Sequence, residues 1–113
     1  MPARIPVATP ELEADTPPVA EPRVEDAALP ESTLLAEAFR ALHGGDARAA
    51  LQWAERHAEE FPRGEMAQER DAISIEALVK LGRSEEARRS LASFKERYPT
   101  SGYAWRLEAL VSQ

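Results

Sequence analysis

The chain contains no cysteine, so neither disulfides nor thiolate-bound metal can hold its fold, and the redox compartment stays open. Long apolar runs are missing as well. No window approaches the ~18 apolar residues of a membrane span, and the opening stretch MPARIPVATPELEADTPP lacks the apolar core of a signal peptide. No direct membrane contact is therefore expected. Lysine is scarce, Lys80 and Lys95 being the only two, and no basic cluster offers a footprint for nucleic acid. Motifs that carry chemistry are absent too: there is no glycine-rich phosphate loop and no serine in a nucleophile-elbow context. His43 and His57 fall on different predicted helices, with no carboxylates at metal-ligand spacing. Glu59 with Glu60, and Glu85 with Glu86, are adjacent helical residues that point about 100° apart and read as solvated charges. The expectation is a protein without catalytic residues, metal or cofactor.

Proline is plentiful but confined. Seven of nine prolines precede residue 31, and residues 1–31 carry seven acidic against two basic side chains, net -5. Such a segment has too few large apolar residues to offset the entropy of ordering, and its prolines remove backbone donors. Residues 1–30 are expected to be a disordered acidic linker, biased toward polyproline II, and residues 31–113 a folded domain of nearly balanced charge. A docking motif for a proline-reading domain is the alternative for the linker, although no basic residue flanks a PxxP core.

Within the domain one stretch occurs twice. GDARAALQWAERHAEEFP (Gly45 to Pro62) aligns without gaps on GRSEEARRSLASFKERYP (Gly82 to Pro99), matching at Gly45/Gly82, Ala50/Ala87, Glu59/Glu96, Phe61/Tyr98 and Pro62/Pro99, a period of 37 residues. Self-similarity at that spacing is the signature of a helical repeat array, so an all-α fold of five helices in about two and a half repeats is expected.

The first helix starts between Pro30 and Thr33, with Ser32 or Thr33 as cap, and runs to His43, where Gly44 and Gly45 stop it. The second is capped by Asp46 and buries Ala47, Ala50, Leu51, Ala54, Ala58 and Phe61, with His57 on the same stripe. The third, from about Glu65 to Leu81, is apolar on most sides and belongs at the centre of the domain. Ser84 caps the fourth, whose stripe is Ala87, Leu91, Phe94 and Tyr98. Thr100 or Ser101 caps the fifth, where Tyr103, Leu107, Leu110 and Val111 face one way. By the period this last helix opens a third repeat and has no following partner, so Trp105, Leu107, Leu110 and Val111 are candidates for self-association into a homo-oligomer. Trp53 suits an interface or a contact between repeats equally well.

Glycine before the second helix, alanine five residues on and proline closing each unit make the repeats resemble tetratricopeptide repeats, three residues longer than that family's usual ~34. The boundaries FPRGEMAQ and YPTSGYAW are similar to those of bacterial periplasmic and outer-membrane members, the Tol-Pal-associated protein and the barrel-assembly lipoprotein among them. The likeness covers about Leu34 to Gln113. The family favours a large apolar residue, then Leu-Gly, early in the first helix; here those places hold Leu34, Glu37 and Ala38, then Asp71, Ser74 and Ile75. The resemblance implies a concave face lined by the first helix of each repeat, carrying Leu35, Phe39, Leu42 and His43, then Glu69, Ala72, Glu76, Val79 and Lys80, then Arg106 and Ala109. Of these, Leu35, Phe39, His43, Glu69, Glu76, Lys80 and Arg106 are the candidate contacts to a protein or peptide partner, against the reading that Leu35 and Leu42 are simply core. The implied function is a non-catalytic interaction or assembly module. A second reading is the soluble domain of a membrane-tethered bacterial regulator of anti-sigma type, periplasmic if so anchored and cytoplasmic otherwise.

Overall fold

A computed structural model describes residues 28–113. The expected linker therefore lies outside the described residues up to residue 27. The rest forms five helices, α1 (Glu31–His43), α2 (Ala47–Glu60), α3 (Ala67–Lys80), α4 (Ser84–Arg97) and α5 (Gly102–Val111), with no strand among the described residues.

Repeated local chemistry sets the helix ends. After α1, Gly45 takes φ +89°, and after α4's predecessor α3, Gly82 takes φ +76°. In each case the glycine N–H donates to the carbonyl three residues back, Leu42 or Val79, and the next residue donates to Ala41 or Leu78. This is a Schellman closure, and glycine adopts its left-handed turn without a Cβ penalty. Both α2 and α4 close on an aromatic residue followed by proline, with Phe61 N–H on His57 at 2.7 Å and Tyr98 N–H on Phe94 at 2.8 Å. Asp46 caps α2 as expected, accepting from Ala49 N–H at 3.0 Å, and Ser101 caps α5 through Tyr103 N–H at 3.1 Å.

Two caps differ from expectation. α1 begins at Glu31, and the Pro30 carbonyl receives the N–H groups of Thr33 and Leu34, so neither Ser32 nor Thr33 caps it. In α4 the cap position is Arg83, which has no side-chain cap bond and instead grips Glu86 at 2.6 and 2.9 Å; Ser84 is already helical.

α3 packs against all four other helices, in keeping with its apolar circumference. α1, α3 and α5 form one layer, with α3 between the other two; α2 packs on α1 and α3, and α4 on α3 and α5. Ala50 and Ala87, equivalent under the 37-residue shift, are fully buried where each second helix meets its neighbours. The core divides into two clusters. One gathers Leu35, Leu42, Leu51, Ile73 and Leu78 between α1, α2 and α3. The other gathers Ile75, Leu91, Phe94 and Leu107 between α3, α4 and α5.

Candidate functional site

Across the layer of first helices runs a groove of about 310 Å³. Its lining follows the period. Ser32, Glu69 and Arg106 are equivalent positions of α1, α3 and α5; so are Leu35 with Ala72, Ala36 with Ile73, and Met66 with Tyr103. Leu35, Ala72 and Ile73 are buried and make the floor, while Phe39, 55% exposed, and Tyr103, 36% exposed, stand at the rim. The walls are thus mostly apolar, with one acid and one base. Arg106 is held by Glu76 at 3.1 Å. Glu69 Oε1 is shielded from solvent and has no hydrogen-bond partner among the described residues.

Of the sequence candidates, Leu35, Phe39, Glu69 and Arg106 line this groove. Glu76 acts on it through Arg106, and His43 packs against Phe39 with the rings tilted by 52° and their centroids 4.1 Å apart. Lys80 is exposed on the last turn of α3, outside the lining. Leu42 and Val79 pack into or against the first core cluster. Ala109 lines a separate cleft of about 610 Å³ beside Leu91, Val111 and the 84%-exposed Trp105. Among the self-association candidates Leu107 is a correction: it is 0% exposed, because it fills the second core cluster. Leu110 and Val111 are half-buried against the same cluster, which leaves Trp105 as the exposed member. Trp53 packs against the first cluster under the Arg56 guanidinium. Sequence reasoning missed Ser32, Ala36, Met66, Ile73 and Tyr103 as groove residues; shifting Ser32, Ala36 or Met66 by 37 would have found their partners.

Behind the groove lies a buried polar chain. His57, 0% exposed, places Nε2 3.0 Å from Glu31 Oε2 and Nδ1 3.4 Å from Arg70 Nη1. The same Glu31 oxygen accepts the Met66 N–H at 2.9 Å. Arg70, 6% exposed, also donates to the Phe61 carbonyl and to Asp71 at 2.9 Å. Asp71 in turn receives Tyr98 Oη at 3.3 Å and Arg97 at 3.2 Å. The Met66 N–H, and then His57, hold the Glu31 carboxyl below its usual range, against some desolvation. Burial and the neighbouring Asp71 raise the Tyr98 phenol. In the next repeat the positions of His57 and Arg70 hold Phe94 and Leu107, both 0% exposed. One repeat therefore closes with an apolar pair where the other closes with a hydrogen-bonded cationic and imidazole pair.

No group of three or more metal-ligating side chains occurs among the described residues, and none of the described helices is long and apolar enough to cross a membrane. No family model, curated protein or solved structure matches the chain.

Proposed function

We propose that the chain is a non-catalytic interaction module of tetratricopeptide type, which takes a short peptide segment of another protein across the groove between α1, α3 and α5. The supporting observation is the repetition of the lining. The equivalent pairs Leu35 with Ala72 and Ala36 with Ile73 place an apolar floor under two exposed aromatic residues, Phe39 and Tyr103, and such rims desolvate favourably when an apolar side chain enters. The occupant that fits has an apolar anchor for the floor of Leu35, Ala72 and Ile73, a basic group toward Glu69 and an acidic one toward Arg106. The test is a random peptide display selection on the full chain, with each selected peptide then measured against the Phe39→Asp and Tyr103→Asp variants. Peptides with an apolar anchor flanked by charge that bind the wild type alone support the proposal. Binders indifferent to Phe39 and Tyr103 refute it.

A second surface is favoured by Trp105, whose 84% exposure beside the cleft of Leu91, Ala109 and Val111 suits pairing of two copies through α5. Light scattering on the full chain reads this directly: a dimer that becomes monomeric on Trp105→Ala supports it, and a wild-type monomer at high concentration rules it out.

A further inference from the structure

One end of the groove lies where the chain enters the domain. Ser32, in the lining, is two residues from Pro30, whose carbonyl starts α1, so whatever precedes Pro30 comes in beside the groove. The walls themselves call for charge from outside. Glu69 Oε1 is shielded from solvent and has no hydrogen-bond partner among the described residues, and a shielded carboxylate oxygen without a donor is costly. A basic group entering the groove removes that cost. Arg106, at the equivalent position of α5, bonds Glu76 through one nitrogen and is still 55% exposed, so its other donors are open to an acid.

The sequence just before α1 carries both charges and an apolar side chain. Of the two arginines that precede residue 31, Arg4 has its first acid seven residues on, at Glu11, whereas Arg23 has Val24 beside it and Glu21 across Pro22. Val24 is six residues from Pro30, a link that spans up to about 20 Å. Packed neighbouring helices lie about 8 to 10 Å apart, so Val24 reaches the floor between α1 and α3 with slack. Running back along the chain, side chains and walls then come in one order: Val24 over Leu35, Ala72 and Ile73, Arg23 at Glu69 on α3, and Glu21 at Arg106 on α5. Two residues of extended chain, about 7 Å, plus two long side chains cover the step from α3 to α5. Pro22 disfavours a helix at this point, which suits a segment laid across a groove.

Resting on the groove as the binding site, we infer that it takes this chain's own residues 21–24, and that an outside partner must displace them. Val24 is the apolar anchor, Arg23 supplies the donor that Glu69 lacks, and Glu21 meets Arg106. A short tether keeps such a segment at an effective concentration on the order of 1 mM, so contacts too weak to hold a free peptide still occupy the groove. The segment then acts as a threshold: partners with a larger apolar anchor than valine displace it, and weak ones do not.

Nuclear Overhauser contacts in the full chain test this without any partner. Contacts from the Val24 methyls to the Phe39 and Tyr103 rings are expected, unchanged on dilution, and lost in Arg23→Glu and in Phe39→Asp. Their absence from the wild type overturns the inference; contacts that fade on dilution also overturn it, since they belong to a second copy. Peptides selected on the groove provide the second arm. Their affinity should rise by about tenfold in Val24→Asp, as removal of a competitor at ~1 mM with an intrinsic Kd of ~0.1 mM allows. Equal affinity for wild type and Val24→Asp, in peptides that still depend on Phe39 and Tyr103, overturns the inference and leaves the groove standing. Peptides indifferent to Phe39 and Tyr103 count against the groove as a partner site, and the Val24 contacts still decide whether residues 21–24 sit in it.

Discussion

At the scale of single residues, the two repeats put different chemistry into one socket. His57 and Arg70 stand where Phe94 and Leu107 stand one period later, and all four are buried. His57→Phe alone leaves Arg70 without its imidazole acceptor and should destabilise by about 1 to 3 kcal/mol. Adding Arg70→Leu gives the pair its apolar equivalents from the next repeat, while Asp71 keeps Tyr98 and Arg97 and Glu31 keeps the Met66 N–H; because replacing both partners of a buried polar pair by apolar groups is often nearly neutral, the double variant should melt higher than either single one. Thermal melts of the three variants check this; a double variant worse than both singles contradicts it. Gly64→Ala, which drives Glu31 off Met66 and His57, should lower Met66 amide protection at neutral pH while leaving the far core of α4 and α5 protected.

At the scale of helices, punctuation decides the boundaries. Gly45 and Gly82 close Schellman turns at φ +89° and +76°, so Gly45→Ala or Gly82→Ala should cost about 1 to 2 kcal/mol from backbone strain alone, since no atom lies within 4 Å of either new Cβ. A melting temperature lowered by about 4 to 8 °C per kcal/mol is the expected readout. These same glycines, with Asp46, Pro62 and Pro99, are why helix order was legible in the sequence, since each acts within a few residues of itself, while the central place of α3 was legible from its apolar circumference. The caps at Ser32 or Thr33 and at Ser84 were misread because competing partners stood nearby. The Pro30 carbonyl serves the start of α1, and Arg83 binds Glu86 rather than leaving that turn to a serine. The Glu31 contacts join residues 26 and 35 apart, and no period or propensity links such pairs. His57 could be read as buried from its stripe, but not as bonded to Glu31 and Arg70.

At the scale of the whole molecule, equivalent positions of α1, α3 and α5 build one groove and two clusters support it from either side of α3. Phe94, fully buried in the smaller cluster, should cost about 3 to 5 kcal/mol on truncation to alanine, a large share of the stability of so small a domain; an unchanged melt would contradict the packing of α4. Leu107 shows where the candidate assembly face needs correction: one apolar stripe on α5 serves the core, with Leu107 buried and Leu110 and Val111 half-buried, and of the four candidates Trp105, off that stripe, is the exposed one. The groove was legible in part for the same reason. Its floor obeys the 37-residue register, whereas Lys80 lies outside the lining and Ala109 lines the other cleft. The most direct measurement is a calorimetric titration of the full chain, wild type and Phe39→Ala with Tyr103→Ala, using a peptide selected on the wild type. Binding weakened by about tenfold or more with an unchanged melting temperature is the expected result, two rim aromatics being worth at least ~1.4 kcal/mol together. Equal affinity for both proteins would place the binding surface elsewhere and contradict the groove as the functional site.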